Sequence, residues 1–138
     1  MDEAAIAKYI TDTFAHVETA SNFGYMFFFY GTDRKLPFAT IAAADNEYDC
    51  TSNLDRPGVF RLNIGVSRET FRSLFGTRQV DINAYDLTAL NKVMPHPDYA
   101  AQHYVCVLNP SGTTFEHVQS LLAEAFDLAV QRHKKRQA

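Results

Sequence analysis

The chain has 138 residues, 46% of them hydrophobic and 21% charged, with thirteen Lys and Arg against sixteen Asp and Glu for a net charge of −3. That length suits one domain able to bury a core without metals or disulfides. The composition excludes a disordered chain, a collagen, a coiled coil and a disulfide scaffold.

The first periodic stretch places Ile6, Tyr9, Ile10, Thr13, Phe14 and Val17 at intervals of three and four. This predicts a helix with one buried stripe, capped by Asp2 and running to about Glu18. A turn at Ser21-Asn22-Phe23-Gly24 follows. Tyr25 to Tyr30 is the longest apolar run, only six residues, well below the ~20 that span a bilayer. With aromatics at both parities it reads as a central strand. Gly31 to Lys35 is turn material, and residues 38–43 form a second strand in a hairpin with the first.

Residues 45–57 make a polar loop, long enough to suggest a functional role. Its acids Asp45, Glu47, Asp49 and Asp55 alternate, but the loop lacks the glycine and the closing glutamate of a calcium-binding loop. The next strand alternates most clearly: Phe60, Leu62, Ile64 and Val66 point one way, Arg61, Asn63 and Gly65 the other. Ser67 caps a short helix with stripe Phe71, Leu74 and Phe75, stopped by Gly76. Residues 77–81 are irregular, residues 86–93 read as a short helix, and Met94-Pro95-His96-Pro97 breaks it. His103 to Leu108 is the last strand. Thr113 and Glu116 have capping-box spacing ahead of a final helix with stripe Val118, Leu121, Leu122, Ala125, Phe126 and Ala129. The fold expected is α+β: one domain over residues 1–138, with a mainly antiparallel sheet and the N- and C-terminal helices packed on one face.

Four of the thirteen basic residues, Arg132, Lys134, Lys135 and Arg136, stand in the last seven positions, where there is no acid. They suit the negative end of a helix dipole and a basic tail without structure from about residue 133. The remainder carries nine basic and sixteen acidic residues, a negative body that argues against nucleic acid as a partner. The acidic start Met1-Asp2-Glu3 is unlike a secretory leader. Cys50 and Cys106 form no CxxC, so the expectation is two reduced thiols in a cytoplasmic protein with no membrane association.

Asp55 to Val66, Met94-Pro95-His96-Pro97, and Val107 to Ser111 leading into the last helix together resemble the family known as domain of unknown function 6194, over nearly the full length. The segment from His103 to Lys135 is similar, more distantly, to the MmcQ/YjbR group. That resemblance implies a CyaY-like α/β fold and brings an association with DNA binding. In that group a Trp commonly holds the strand position that Tyr104 holds here. Neither resemblance supplies catalytic residues or a cofactor.

Three chemistries compete. Arg61 and Asn63 project from the non-core face of the best strand; with Tyr25 and His96 they are the candidate ligand-binding residues, since an Arg fork and an amide beside aromatics make a small-molecule site. The alternative for that face is solvation, with Arg61 paired to an acid across the sheet. His96, Asp98 and His103 are close in sequence, with His117 following, and could serve a metal-dependent or hydrolytic enzyme, although no HxH or HExxH pattern is present. Cys106 in a strand is expected to be inert, and nothing in sequence activates Cys50. The sequence therefore favours a non-catalytic module for a small ligand or a protein partner, including a second copy of itself. Nucleic-acid binding and an enzyme around His96 and His103 are the alternatives.

Overall fold

The computed structural model describes residues 1–32 and 34–137, Gln137 as backbone only. Asp33, in the expected turn, lies outside the described residues. The chain runs α1 (Glu3–Thr13), β1 (Val17–Asn22), β2 (Tyr25–Tyr30), β3 (Ala39–Ala42), β4 (Arg61–Gly65), α2 (Arg68–Phe75), β5 (Met94–Pro95), β6 (Tyr104–Leu108) and α3 (Gly112–Gln137), with 3₁₀ turns at Ile82–Ala84 and Ala100–Gln102. The six strands form one antiparallel sheet in the order β1-β2-β3-β4-β6-β5.

The α+β expectation holds. Register sets two faces. Leu62 stands opposite Ile41 and Val107, and Ile64 opposite Ala39 and Val105, so one row of apolar side chains crosses β3, β4 and β6. Phe28, Phe60 and Val66 join that side. Ile6 and Ile10 of α1 and Val118, Leu122 and Ala125 of α3 cover it, all wholly buried. Burying each larger aliphatic side chain contributes roughly 1.5–3 kcal/mol, so the two terminal helices hold this face closed.

Asp2 caps α1, its carboxylate accepting from the Ala5 N–H at 2.9 Å. Ser67 caps α2 and Gly76 ends it with φ +93°. Glu124 of α3 accepts from the Ser67 N–H (3.0 Å) and from the hydroxyls of Ser67 and Thr70. A carboxylate at that helix start is favoured by the dipole and ties the two helices together.

Several boundaries differ from expectation. α1 ends at Thr13, not near Glu18; Val17 and Glu18 open β1, which extends through Ser21 and Asn22. His16 takes a left-handed φ of +61° and its carbonyl accepts from the Gly31 N–H, turning the chain into the hairpin with β2. The expected helix over 86–93 is a turn. Asp86 accepts from the N–H and hydroxyl of Thr88, an Asx arrangement that competes with helix, and Leu90 bridges to Leu108. Met94 and Pro95 form the short edge strand β5, where a missing N–H is tolerated. Thr113 lies inside α3, one residue past its start at Gly112, so it is not the N-cap. α3 continues through Lys134, Lys135 and Arg136 to Gln137, so the stretch expected to lose structure from about residue 133 is helical. Among the described residues no helix is long and apolar enough to cross a membrane.

Candidate functional site

The second face of the sheet carries the site. Strand alternation sends Tyr25, Phe27 and Phe29 of β2 to this side, with Thr40 and Ala42 of β3, Arg61 and Asn63 of β4, and Tyr104, Cys106 and Leu108 of β6. Helices leave this face uncovered. The 45–57 loop and the 96–104 segment wall it instead, enclosing a cavity of about 540 Å³. That size falls within the range of small-molecule pockets. All four candidate residues, Tyr25, Arg61, Asn63 and His96, line it.

Arg61 is wholly buried, so the solvated face is corrected. A buried guanidinium needs an anion and a full set of acceptors. Its Nη1 donates to Asp49 Oδ1 and to Ser52 Oγ, both at 3.0 Å. Its Nη2 donates to Asp49 Oδ2 at 2.6 Å, and its Nε to Asn63 Oδ1 at 2.8 Å. The paired acid comes from the loop, not from across the sheet. Asn63 passes the network on by donating from Nδ2 to Thr40 Oγ1 at 2.8 Å. The Tyr25 hydroxyl donates to Asp49 Oδ2 at 2.6 Å and accepts from Asn46 Nδ2 at 3.0 Å.

The loop is built to deliver Asp49. Asp45 Oδ1 accepts from the Leu54 N–H at 2.8 Å and Asp55 Oδ1 from the Asp45 N–H at 3.1 Å. Arg56 donates to the carbonyls of Ser52, Asn53 and Thr88. Leu54 is buried beside Ala42, Met94 and Leu108. Asp45 and Asp55 thus brace the loop, and Asp49 neutralises Arg61.

His96 is only 3% exposed. Its Nδ1 accepts from the backbone N–H groups of Asp98 (3.0 Å) and Tyr99 (3.1 Å). An acceptor Nδ1 carries no proton, so the neutral ring holds its hydrogen on Nε2. Nε2 has no hydrogen-bond partner among the described residues. Burial, reinforced by the Arg61 charge, pulls the His96 pKa down to about 3.

The neighbouring groups are also moved away from neutrality. Burial and the hydrogen bond to Asp49 push the Tyr25 hydroxyl up to about 12. Burial pushes the Cys106 thiol up to about 12. Burial would raise the Asp49 carboxyl, but the Arg61 guanidinium and the Tyr25 hydroxyl hold it below its ordinary range.

The apolar wall is a row of rings. Tyr25 and Phe27 have centroids 6.0 Å apart and Phe27 and Phe29 6.2 Å, with tilts of 31° and 27°. Arg34 sits over Phe29 at 5.7 Å and also meets Glu18 at 3.3 Å, closing that end of the row. Opposite, Tyr99 packs on His96 at 5.0 Å. Tyr104 lies over Gly65, where a Cβ would come within 2.9 Å of its ring, and its hydroxyl donates to the Pro37 carbonyl at 2.7 Å. Tyr48 stands at the mouth, 85% exposed.

The histidine cluster is divided. His96 lines the large cavity. His103 lines a separate one of about 340 Å³ beside Phe71, Arg72 and Arg78; Asp98 borders both. His117 is exposed on α3. Among the described residues, no group of three or more His, Cys, Asp or Glu could hold a metal ion.

Sequence reasoning missed Asp49, Ser52, Thr40 and Tyr99 as parts of the site. The available signal was Arg61 itself: in a strand with a core face on one side, a buried cation demands an anion.

Fold and site together define an α+β protein with a walled, aromatic-lined cavity on the sheet face opposite its helices. The full chain, residues 1–138, matches a family of unknown function, DUF6194, and belongs to that family. No curated protein and no solved structure matches it.

Proposed function

We propose that this chain is a small-molecule-binding module whose site is the 540 Å³ cavity. The observation that carries the reading is His96: a ring 3% exposed, fixed through Nδ1, whose Nε2 hydrogen has no protein partner while the ring lines the cavity. The ring is buried but this N–H opens onto the cavity, and a bound acceptor would take the place of water on it. The hydrogen-bonded floor and the ring wall supply a pre-organised surface, which lowers the ordering cost of binding.

Binding fits the site better than acid–base catalysis. A general acid or base works best with a pKa near the working pH. Tyr25 and Cys106 stand at about 12, His96 at about 3, and Asp49 is held ionised. Each therefore keeps one protonation state at neutral pH. Two free thiols, Cys50 exposed and Cys106 buried, support a reducing, cytoplasmic setting.

The test is a ligand-observed NMR screen of small aromatic fragments on the wild type and on Thr40→Phe, which fills the cavity floor. The reading expects hits on the wild type that the variant loses. An absence of hits, or hits that persist unchanged in a folded Thr40→Phe, overturns it.

A further inference from the structure

The cavity's polar groups restrict what it can hold. Arg61 is its only cation among the lining residues, and that charge is already matched by Asp49 through two parallel hydrogen bonds. Four of the five guanidinium N–H donors are used within the protein. Asp98, also lining the cavity and exposed, adds a second carboxylate. The local balance is one cation against two anions, so a carboxylate or phosphate ligand would be desolvated without a free cation to receive it. The Arg-fork chemistry expected from the sequence is thus spent inside the protein.

The donor held in a fixed direction by a buried ring is His96 Nε2–H, because two backbone N–H groups point at Nδ1. It offers a hydrogen bond and no charge. The aromatic wall presents Tyr25 and Phe27 side by side from alternate positions of β2, their planes tilted by 31°. Rings favour offset-stacked or edge-on aromatic partners.

Resting on the binding reading, we propose that the ligand is an uncharged, planar aromatic molecule carrying a hydrogen-bond acceptor, its ring against Tyr25 and Phe27 and its acceptor on His96. Specificity against anions comes from Asp49 and Asp98, and specificity for the acceptor comes from the unpartnered His96 hydrogen.

Three probes of one shape separate the contributions: naphthamide, naphthoate and methylnaphthalene with the same substitution position, titrated at neutral pH by protein-observed NMR. The expected result is a Kd for naphthamide roughly tenfold below that for methylnaphthalene, the worth of one hydrogen bond to a buried donor. Naphthoate is expected to bind at least roughly tenfold more weakly than naphthamide. His96→Asn keeps a side-chain oxygen for the Asp98 and Tyr99 N–H groups but replaces the Nε2 hydrogen by N–H groups on the shorter Nδ2, out of reach of the same acceptor, and is expected to erase the advantage of the amide over the hydrocarbon. If naphthoate matches or exceeds naphthamide, or the amide and hydrocarbon bind alike, the ligand class is wrong while the cavity remains a binding site. If none of the three binds the folded wild type, the binding reading falls and takes the ligand class with it.

Discussion

Replacing Asp49 by Asn removes one unit of negative charge at nearly constant shape and tests how the site is held together. Arg61 has no exposed surface, and Asp49 is its only anionic partner among the described residues. In Asp49→Asn the guanidinium stays buried and charged, while one of its two carboxylate contacts now meets an amide N–H. Removing one partner of a buried pair costs ~3–5 kcal/mol. Asn still accepts one hydrogen bond, which points to the lower end, about 3 kcal/mol. With a urea m-value of about 2 kcal/mol/M for a protein of this size, the midpoint falls by about 1.5 M. The double variant Arg61→Met/Asp49→Leu removes both charges, and its loss is expected to be smaller than that of Asp49→Asn. The pH dependence has a definite sign. Asp49 titrates below its ordinary 3.8 in the folded state. The stability it lends is complete above 3.8 and is lost as pH falls through its native pKa. Asp49→Asn should lack this acid limb. A midpoint within about 0.3 M of wild type, or a double variant no better than the single, would refute the reasoning.

The same structure makes further predictions. Between about pH 6.5 and 3, the unfolded chain protonates His96 and the folded chain does not, so stability falls as pH drops through that window; His96→Asn should reduce the slope by about one proton's contribution, measured by urea titration at several pH values. Gly65→Ala drives a methyl against the Tyr104 ring, which its bond to Pro37 holds in place; the expected cost is roughly 1–3 kcal/mol in chemical denaturation, and a neutral result would mean the ring swings away freely. Thiol labelling at mildly alkaline pH should modify exposed Cys50 rapidly and spare Cys106, whose burial and raised pKa protect it until the protein unfolds; rapid reaction at both would contradict the packing of β6 described above.

Residues 60–66 made much of this legible. One alternating strand announced both faces of the sheet: Leu62 and Ile64 meet the helices, and Arg61 and Asn63 meet the cavity. The turn chemistry of Asp2, Ser67 and Gly76 was equally readable because capping is local. What escaped was decided by distant contacts. Val17 continues the helical stripe of Ile10 and Phe14, yet pairing with Tyr30 draws it into β1. Residues 86–93 carry helical spacing, but Asp86 bonds its own turn and Leu90 is fixed to Leu108. Asp49 looked like any acid in a polar loop, because only the folded loop brings it 2.6 Å from Arg61. The separation of His96 from His103 likewise depends on the 3₁₀ turn at Ala100–Gln102 and the left-handed His103, which send the two rings to different cavities.

Backbone amide shift mapping with naphthamide addresses the central claim most directly, because it reports where on the molecule a ligand sits. The account predicts saturable shifts concentrated at Phe27, Thr40, Asn63, His96 and Tyr104. Shifts confined to the smaller cavity around Arg72 and His103, or scattered over the helix-covered side, would contradict it.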